Sequence, residues 1–189
     1  MVQRMKYSGD GKIVITYANT EGPWNNNRIA GGVKTLDMSN DSLTDISPAK
    51  KSFGDVVIDP TNPDRMVACT ENLYMIQPNG AYGDEFYRTT DGGANWTKLN
   101  DVMSLTDGGV EWLKTTSMHW CSSMCIDQNN VNKVMVVSGN GIFACDNIWD
   151  ENPEFYFSAK GVEETVPYEL VSIPGGKLAT VTGDYDGFI

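Results

Sequence analysis

One segment of this chain occurs twice. Val57-Ile58-Asp59-Pro60-Thr61-Asn62-Pro63-Asp64-Arg65-Met66-Val67 aligns with Cys125-Ile126-Asp127-Gln128-Asn129-Asn130-Val131-Asn132-Lys133-Val134-Met135, with Asp59 and Asp127 standing 68 residues apart. Each copy reads as a strand, a polar turn and a returning strand. Each is followed by another short strand, Asn72-Leu73-Tyr74 in one and Gly141-Ile142-Phe143 in the other. A long-period repeat of short antiparallel strands cannot bury both faces of a copy alone. It does so by stacking copies, which is the logic of propeller blades, usually four strands each.

The rest of the chain agrees. Short apolar runs alternate with turn residues, and 19 Gly, 8 Pro, 16 Asn and 16 Asp supply the turns. About 13 runs read as strands: 12–18, 32–36, 54–58, 65–70, 73–76, 85–89, 95–99, 122–126, 133–138, 141–145, 154–158, 169–173 and 177–182. Their β-branched and aromatic content suits strands. A single helical turn is expected around 109–115. The fold class is all-β: a partial β-propeller of about three four-stranded antiparallel blades, arranged as an open arc.

The motif that identifies the repeat is Tyr87-Arg88-Thr89-Thr90-Asp91-Gly92-Gly93-Ala94-Asn95-Trp96, which fits the Asp-box pattern with Thr89 first. Asp91 can accept backbone N–H bonds in the hairpin loop. Gly93 supplies a positive φ. Trp96 re-enters the strand and packs between sheets. The Asp-box staples a turn, so Asp91 reads as structural.

Charge and cysteines exclude several classes. Fourteen Lys and Arg against 25 Asp and Glu leave a net charge of −11 with one His. Nucleic acid needs basic clusters, and none is present. An anionic membrane surface is disfavoured for the same reason. No apolar run approaches the roughly 20 residues of a membrane span. The N-terminus lacks the apolar stretch of a signal peptide, so either the protein is cytoplasmic or its true N-terminus lies outside this sequence. Cys121 and Cys125 are separated by three residues without a second pair or a His cluster, which does not make a zinc site. The four cysteines read as buried free thiols.

Taken together, the segments resemble glycoside hydrolase family 74, the endo-xyloglucanases. Val2-Gln3-Arg4-Met5 with Ile13-Val14-Ile15-Thr16-Tyr17 looks like one of its blade openings. Gly32-Val33-Lys34-Thr35-Leu36-Asp37 and Leu43-Thr44-Asp45-Ile46-Ser47-Pro48 look like the strand and turn of that blade, with Leu43 where the family has Trp. The two Ile-Asp segments and the Asp-box follow in order, and His119-Trp120 precedes the second Ile-Asp segment. Gly141-Ile142-Phe143-Ala144-Cys145-Asp146-Asn147, Gly161-Val162-Glu163-Glu164-Thr165 and Leu170-Val171-Ser172-Ile173-Pro174 continue the pattern. Gly183-Asp184-Tyr185-Asp186-Gly187-Phe188 closes it.

The resemblance implies two seven-bladed propellers facing each other across a substrate cleft. Residues 1–182 would form late blades of the first, and 183–189 the start of the second, so a fragment is expected. The implied partners are a plant cell-wall polysaccharide, xyloglucan or a related β-glucan, and the remaining blades of a parent chain. The implied location is extracellular, with the signal peptide outside this sequence. No cofactor or metal is expected.

The implied chemistry is cleavage of the β-1,4-glucan backbone by an inverting two-carboxylate mechanism, the carboxyls about 6.5–9.5 Å apart. The resemblance places one on Asp184 as general acid, with Asp186 as the alternative. The other lies outside this sequence. Sugar rings need flat aromatic faces, and the candidates are Trp24, Trp112, Trp120, Trp149, Tyr168 and Tyr185. Of these, Trp120 beside His119 best fits a cleft, because the pair stands in a turn-like approach just before a strand. His119, Trp120 and Tyr185 are the expected substrate contacts. Glu163-Glu164 reads as a solvated loop. A sialidase needs three clustered arginines, which Arg4, Arg28, Arg65 and Arg88 do not supply. A non-catalytic Asp-box propeller, acting as a binding or assembly module, is the other reading.

Overall fold

The computed structural model describes residues 1–18, 30–73, 75–77, 80–115, 117–161, 166–175 and 177–183. Seventeen strands are found among them. The first sheet holds β1 (Val2–Tyr7), β2 (Lys12–Tyr17), β3 (Gly32–Asp37) and β4 (Ser42–Asp45), antiparallel in chain order. The second is built from β5 (Phe53–Asp59) and β6 (Asn62–Thr70). After the small hairpin of β7 (Met75–Ile76) and β8 (Tyr82–Gly83), it continues with β9 (Phe86–Thr89) and β10 (Thr97–Lys98).

The third sheet contains β11 (Ser104–Thr106), β12 (Ser123–Ile126), β13 (Val134–Ser138), β14 (Gly141–Cys145) and β15 (Glu154–Phe157). It departs from the expected four strands. β11 joins its outer edge, parallel to β15. The segment leaving the second sheet thus crosses to the next one before the chain returns to the inside. A hairpin of β16 (Val166–Ile173) and β17 (Lys177–Gly183) ends the described chain. The expected helical turn is a 3-10 turn at Glu111–Thr115, but it is not single: a second 3-10 turn covers Leu99–Asp101, where the strand read over 95–99 ends early.

The middle sheet shows why its strands read as continuous apolar runs. Alternate residues face opposite sides. Val56, Met66, Ala68 and Tyr87 pack against Val14 and Val33 of the first sheet. Val57, Val67, Cys69 and Phe86 pack against Met124, Val136, Phe143 and Phe155 of the third. Both faces are buried, so both positions of the two-residue period are apolar. The first sheet differs, because its other face carries the exposed Val2, Met5, Tyr7 and Leu43.

The two repeat copies occupy equivalent places, the antiparallel pairs β5–β6 and β12–β13, in separate sheets. Asp59 Oδ1 accepts from the Thr61 N–H at 2.8 Å, and Asp127 Oδ1 from the Asn129 N–H at 2.8 Å. The Asp of each copy is therefore the Asx residue that turns the chain.

In the Asp-box, Asp91 Oδ1 accepts from Thr89 Oγ1 at 2.8 Å and from the Asn95 N–H at 2.9 Å. Gly93 has φ +90°, and a Cβ there would lie 2.9 Å from Ile46 Cβ. Trp96 Nε1 donates to Ile46 O at 2.8 Å, tying this loop to the first sheet. Arg88 Nη1 donates to Ile148 O at 2.6 Å and also to Asp150 O, tying it to the third. The third sheet repeats the device in altered residues: Asn147 Oδ1 accepts from Cys145 Sγ at 3.3 Å and from the Glu154 N–H at 2.9 Å. Cys145 there does the work of Thr89.

Candidate functional site

The inner strands β5 and β12 lie side by side and run the same way. Gly54 near the start of β5 faces Cys121 O, and Asp55 Oδ2 accepts from the Met124 N–H at 2.8 Å. One end of the sheets therefore carries the Asx turns and the Asp-box. The other carries the segment 117–122, which enters β12. Asp91 and His119 stand at opposite ends of the molecule.

The His119–Trp120 pair is presented by a tightly pinned segment. His119 N–H donates to Ser138 Oγ at 3.1 Å, and His119 O accepts from the Gly139 N–H at 2.7 Å. His119 Nδ1 lies 2.9 Å from Ser117 O. Trp120 adopts φ +53°, which non-glycine residues seldom take, and is 37% exposed. The two rings meet edge to face at 5.4 Å. Gly139 closes the space behind them, where a Cβ would fall 2.8 Å from Trp120 Cε3 and 3.1 Å from His119 Nε2. The result is one aromatic ring held open to solvent beside a half-buried imidazole.

Beneath this pair lies a buried polar network that sequence reading missed. Asp84 is 1% exposed. It accepts from Thr70 Oγ1, the Leu73 N–H and the Cys121 N–H, each at 2.9 Å. Asn100 Nδ2 donates to Asp84 O at 3.1 Å, and its Oδ1 accepts from the Phe86 N–H at 2.7 Å. Burial pushes the Asp84 carboxyl up to about 6 against the pull of these donors. Its neighbour Glu85 is handled differently. Burial raises it, but Lys51, Lys98 at 2.8 Å and the Tyr87 hydroxyl at 2.7 Å outweigh that and lower it. No sequence signal marked these two acids, because both sit in an ordinary polar link between strands.

Of the expected sugar platforms, Trp149 belongs to the opposite end. Its Nε1 donates to Val131 O at 2.7 Å, and Arg65 stacks over its ring at 5.4 Å. It latches one sheet to the next. Tyr168 is 73% exposed on the final hairpin. Trp112 lies in the 3-10 turn Glu111–Thr115, with its side chain outside the described part. Asp184, Tyr185, Asp186, Trp24, Glu163 and Glu164 lie outside the described residues. Three cysteines are buried free thiols, while Cys125 is exposed, contrary to expectation. It projects from the face of β12 opposite the shared core. A cavity of about 270 Å³, lined by Lys6, Tyr7, Ile58, Cys125 and Ile126 among others, opens at the Asx-turn end, away from His119. No group of three or more possible metal ligands occurs among the described residues.

No family model matches the chain. Known proteins do match it along nearly its whole length. A xyloglucanase of Paenibacillus sp is 28% identical over 211 residues, 95% of this chain and 20% of the relative. A xyloglucanase of Acetivibrio thermocellus is 27% identical over 215 residues, 96% of this chain and 25% of the relative. The crystal structure of the Niastella koreensis GH74 enzyme superposes with a TM-score of 0.79 at 33% identity, covering 97% of this chain and 27% of that one. The GH74 xyloglucanase of Xanthomonas campestris superposes with a TM-score of 0.73 at 28% identity, covering 99% and 27%. The chain thus spans about a quarter of the length of the proteins it matches, and its similarity to glycoside hydrolase family 74 extends over almost every residue.

Proposed function

We propose that this chain is a stretch of a family 74 glycoside hydrolase that cleaves the β-1,4-glucan backbone of xyloglucan outside the cell. The observation that carries the reading is the match over at least 95% of the chain to xyloglucanases in sequence and to GH74 enzymes in fold. The reaction is inverting hydrolysis. One carboxylic acid protonates the leaving oxygen while a second carboxylate activates water on the far face of the sugar. Asp184, in Gly183-Asp184-Tyr185-Asp186-Gly187-Phe188, is the general acid of that pair, and the second carboxylate is supplied by the remainder of the parent protein.

The described residues contribute a sugar-contacting surface. Trp120 offers a flat apolar face to a pyranose ring, and His119 beside it offers a group for its hydroxyls; Tyr185, outside the described residues, is the further expected contact. A neutral glucan meets no electrostatic penalty at an acidic protein of net charge −11.

The test uses the full-length parent enzyme. Asp184→Asn removes the ionisable group at nearly constant shape and lowers kcat on xyloglucan on the order of 10²- to 10⁴-fold. Near-full activity in this variant overturns the assignment and turns attention to Asp186. A parent protein that binds xyloglucan without cleaving it supports the binding-module reading.

A further inference from the structure

We propose that Asp84 is the positioning residue of the His119–Trp120 pair, gripping it from the neighbouring blade by two hydrogen bonds that flank the pair. On one side the Asp84 N–H donates to Met118 O at 2.8 Å. On the other, its Oδ2 accepts from the Cys121 N–H at 2.9 Å. The residues immediately before and after His119-Trp120 are thus bonded to one amino acid of the preceding sheet. Only the two-residue tip between them is left to project.

The surroundings are shaped for this grip. A Cβ on Gly83 would fall 2.4 Å from Met118 O, and one on Gly54 would fall 2.7 Å from Cys121 O. Both glycines let the segment lie against the second sheet. Arg4 Nη2 holds Ser122 O at 3.0 Å from the first sheet. Asp84 is itself fixed by Thr70, Leu73 and Asn100.

The side chain has to be a carboxylate. Two backbone N–H groups, of Leu73 and Cys121, approach its two oxygens from separate connecting segments, one after β6 and one before β12. An amide in either orientation would set its NH2 against one of them. Among the described residues, the donors that reach Asp84 are neutral, whereas Glu85 beside it is met by two lysines. A buried carboxylate without a cation is costly, so it persists where it organises other groups. With Trp120 held at φ +53°, the grip sets the angle at which the indole meets solvent. Its bearing on the polysaccharide rests on the function proposed above, but the grip itself does not.

His119 is the only histidine of the chain, so its imidazole resonances report the pair alone. Asp84→Asn is expected to move them away from their wild-type positions as the Trp120 ring current is lost. Asp55→Asn, which cuts another buried carboxylate bond between the same two sheets, is expected to leave them in place. Unchanged His119 signals in Asp84→Asn overturn the proposal, as does an equal displacement in Asp55→Asn. Should Asp84→Asn fail to fold, a through-hydrogen-bond coupling between the Cys121 amide and the Asp84 carboxyl carbon tests the grip in the wild type. Its absence overturns the proposal. Addition of a xyloglucan oligosaccharide is expected to shift the His119 signals at concentrations about tenfold lower in wild type than in Asp84→Asn. If the wild type does not respond while the variants behave as stated, the sugar contact assigned to this pair fails and the grip stands.

Discussion

Replacing Asp84 by Asn is expected to change the stability of the chain by an amount that depends on pH. The Asp84 carboxyl is lifted by burial from 3.8 to about 6. At about 1.4 kcal/mol per pH unit, ionising it in the folded state costs about 3 kcal/mol. The folded chain holds this proton more tightly than the unfolded chain. The native state therefore binds more protons between about pH 4 and 6, and the Asp84 contribution falls as pH rises through that window. Asn has no such proton. The stability of Asp84→Asn relative to wild type should improve by about 3 kcal/mol from pH 3.5 to pH 7. For a chain of this length that is roughly 6–12 °C in Tm. Other carboxylates, such as Asp10, Asp45 and Asp91, are held low and titrate in the opposite sense, but they are common to both proteins and cancel in the difference. The nearby Cys69 and Cys121 thiols are pushed well above their ordinary range, chiefly by burial and further by Asp84, and stay neutral throughout. Urea unfolding of both proteins at a series of pH values measures the gap. A gap that stays constant refutes the reasoning, and one that widens with pH shows that hydrogen bonding outweighs desolvation.

Gly93→Ala should destabilise the chain by about 1–3 kcal/mol, since φ +90° resists a side chain and the added Cβ would meet Ile46; chemical unfolding reads it, and a neutral result means the loop relaxes freely. Among the cysteines, only Cys125 should react with a maleimide under native conditions. Cys69 and Cys121 are fully buried, and the Cys145 thiol is raised to about 11, chiefly by burial. Mass spectrometry of the labelled chain counts the sites, and rapid labelling of more than one breaks the picture.

What could be read from the sequence was what is local. The Asp-box gave its hairpin because Thr89, Asp91, Gly93 and Asn95 bond one another within a few residues. The repeat gave β5–β6 and β12–β13 because each carries its own Asx turn. β4 escaped periodicity because all four of its residues are exposed, although the family resemblance had placed a strand and turn there. β11 escaped because three residues with a single partly buried leucine carry no pattern, and their partner β15 lies some 50 residues away. His119 and Trp120 were visible as chemistry-bearing residues before a strand. Asp84 was not. Tyr82-Gly83-Asp84-Glu85 reads as one more acidic turn, and only stacking of the sheets takes its carboxyl out of water.

The loop that carries the Asp-box reaches in both directions, through Trp96 to Ile46 and through Arg88 to Ile148 and Asp150. The second sheet also shares an apolar core with each neighbour. In a linear array of this kind, stability divides into what each unit holds alone and what it holds jointly with the units beside it. For this chain taken by itself, the middle unit has two such couplings among the described residues and the first and third have fewer, so it is the last to open. Local fraying travels inward from the margins, and the amides of β6 and β9 exchange with solvent only when the whole array melts. A substitution in the middle sheet is therefore felt by every blade, whereas one on the exposed face of β1 stays a local event.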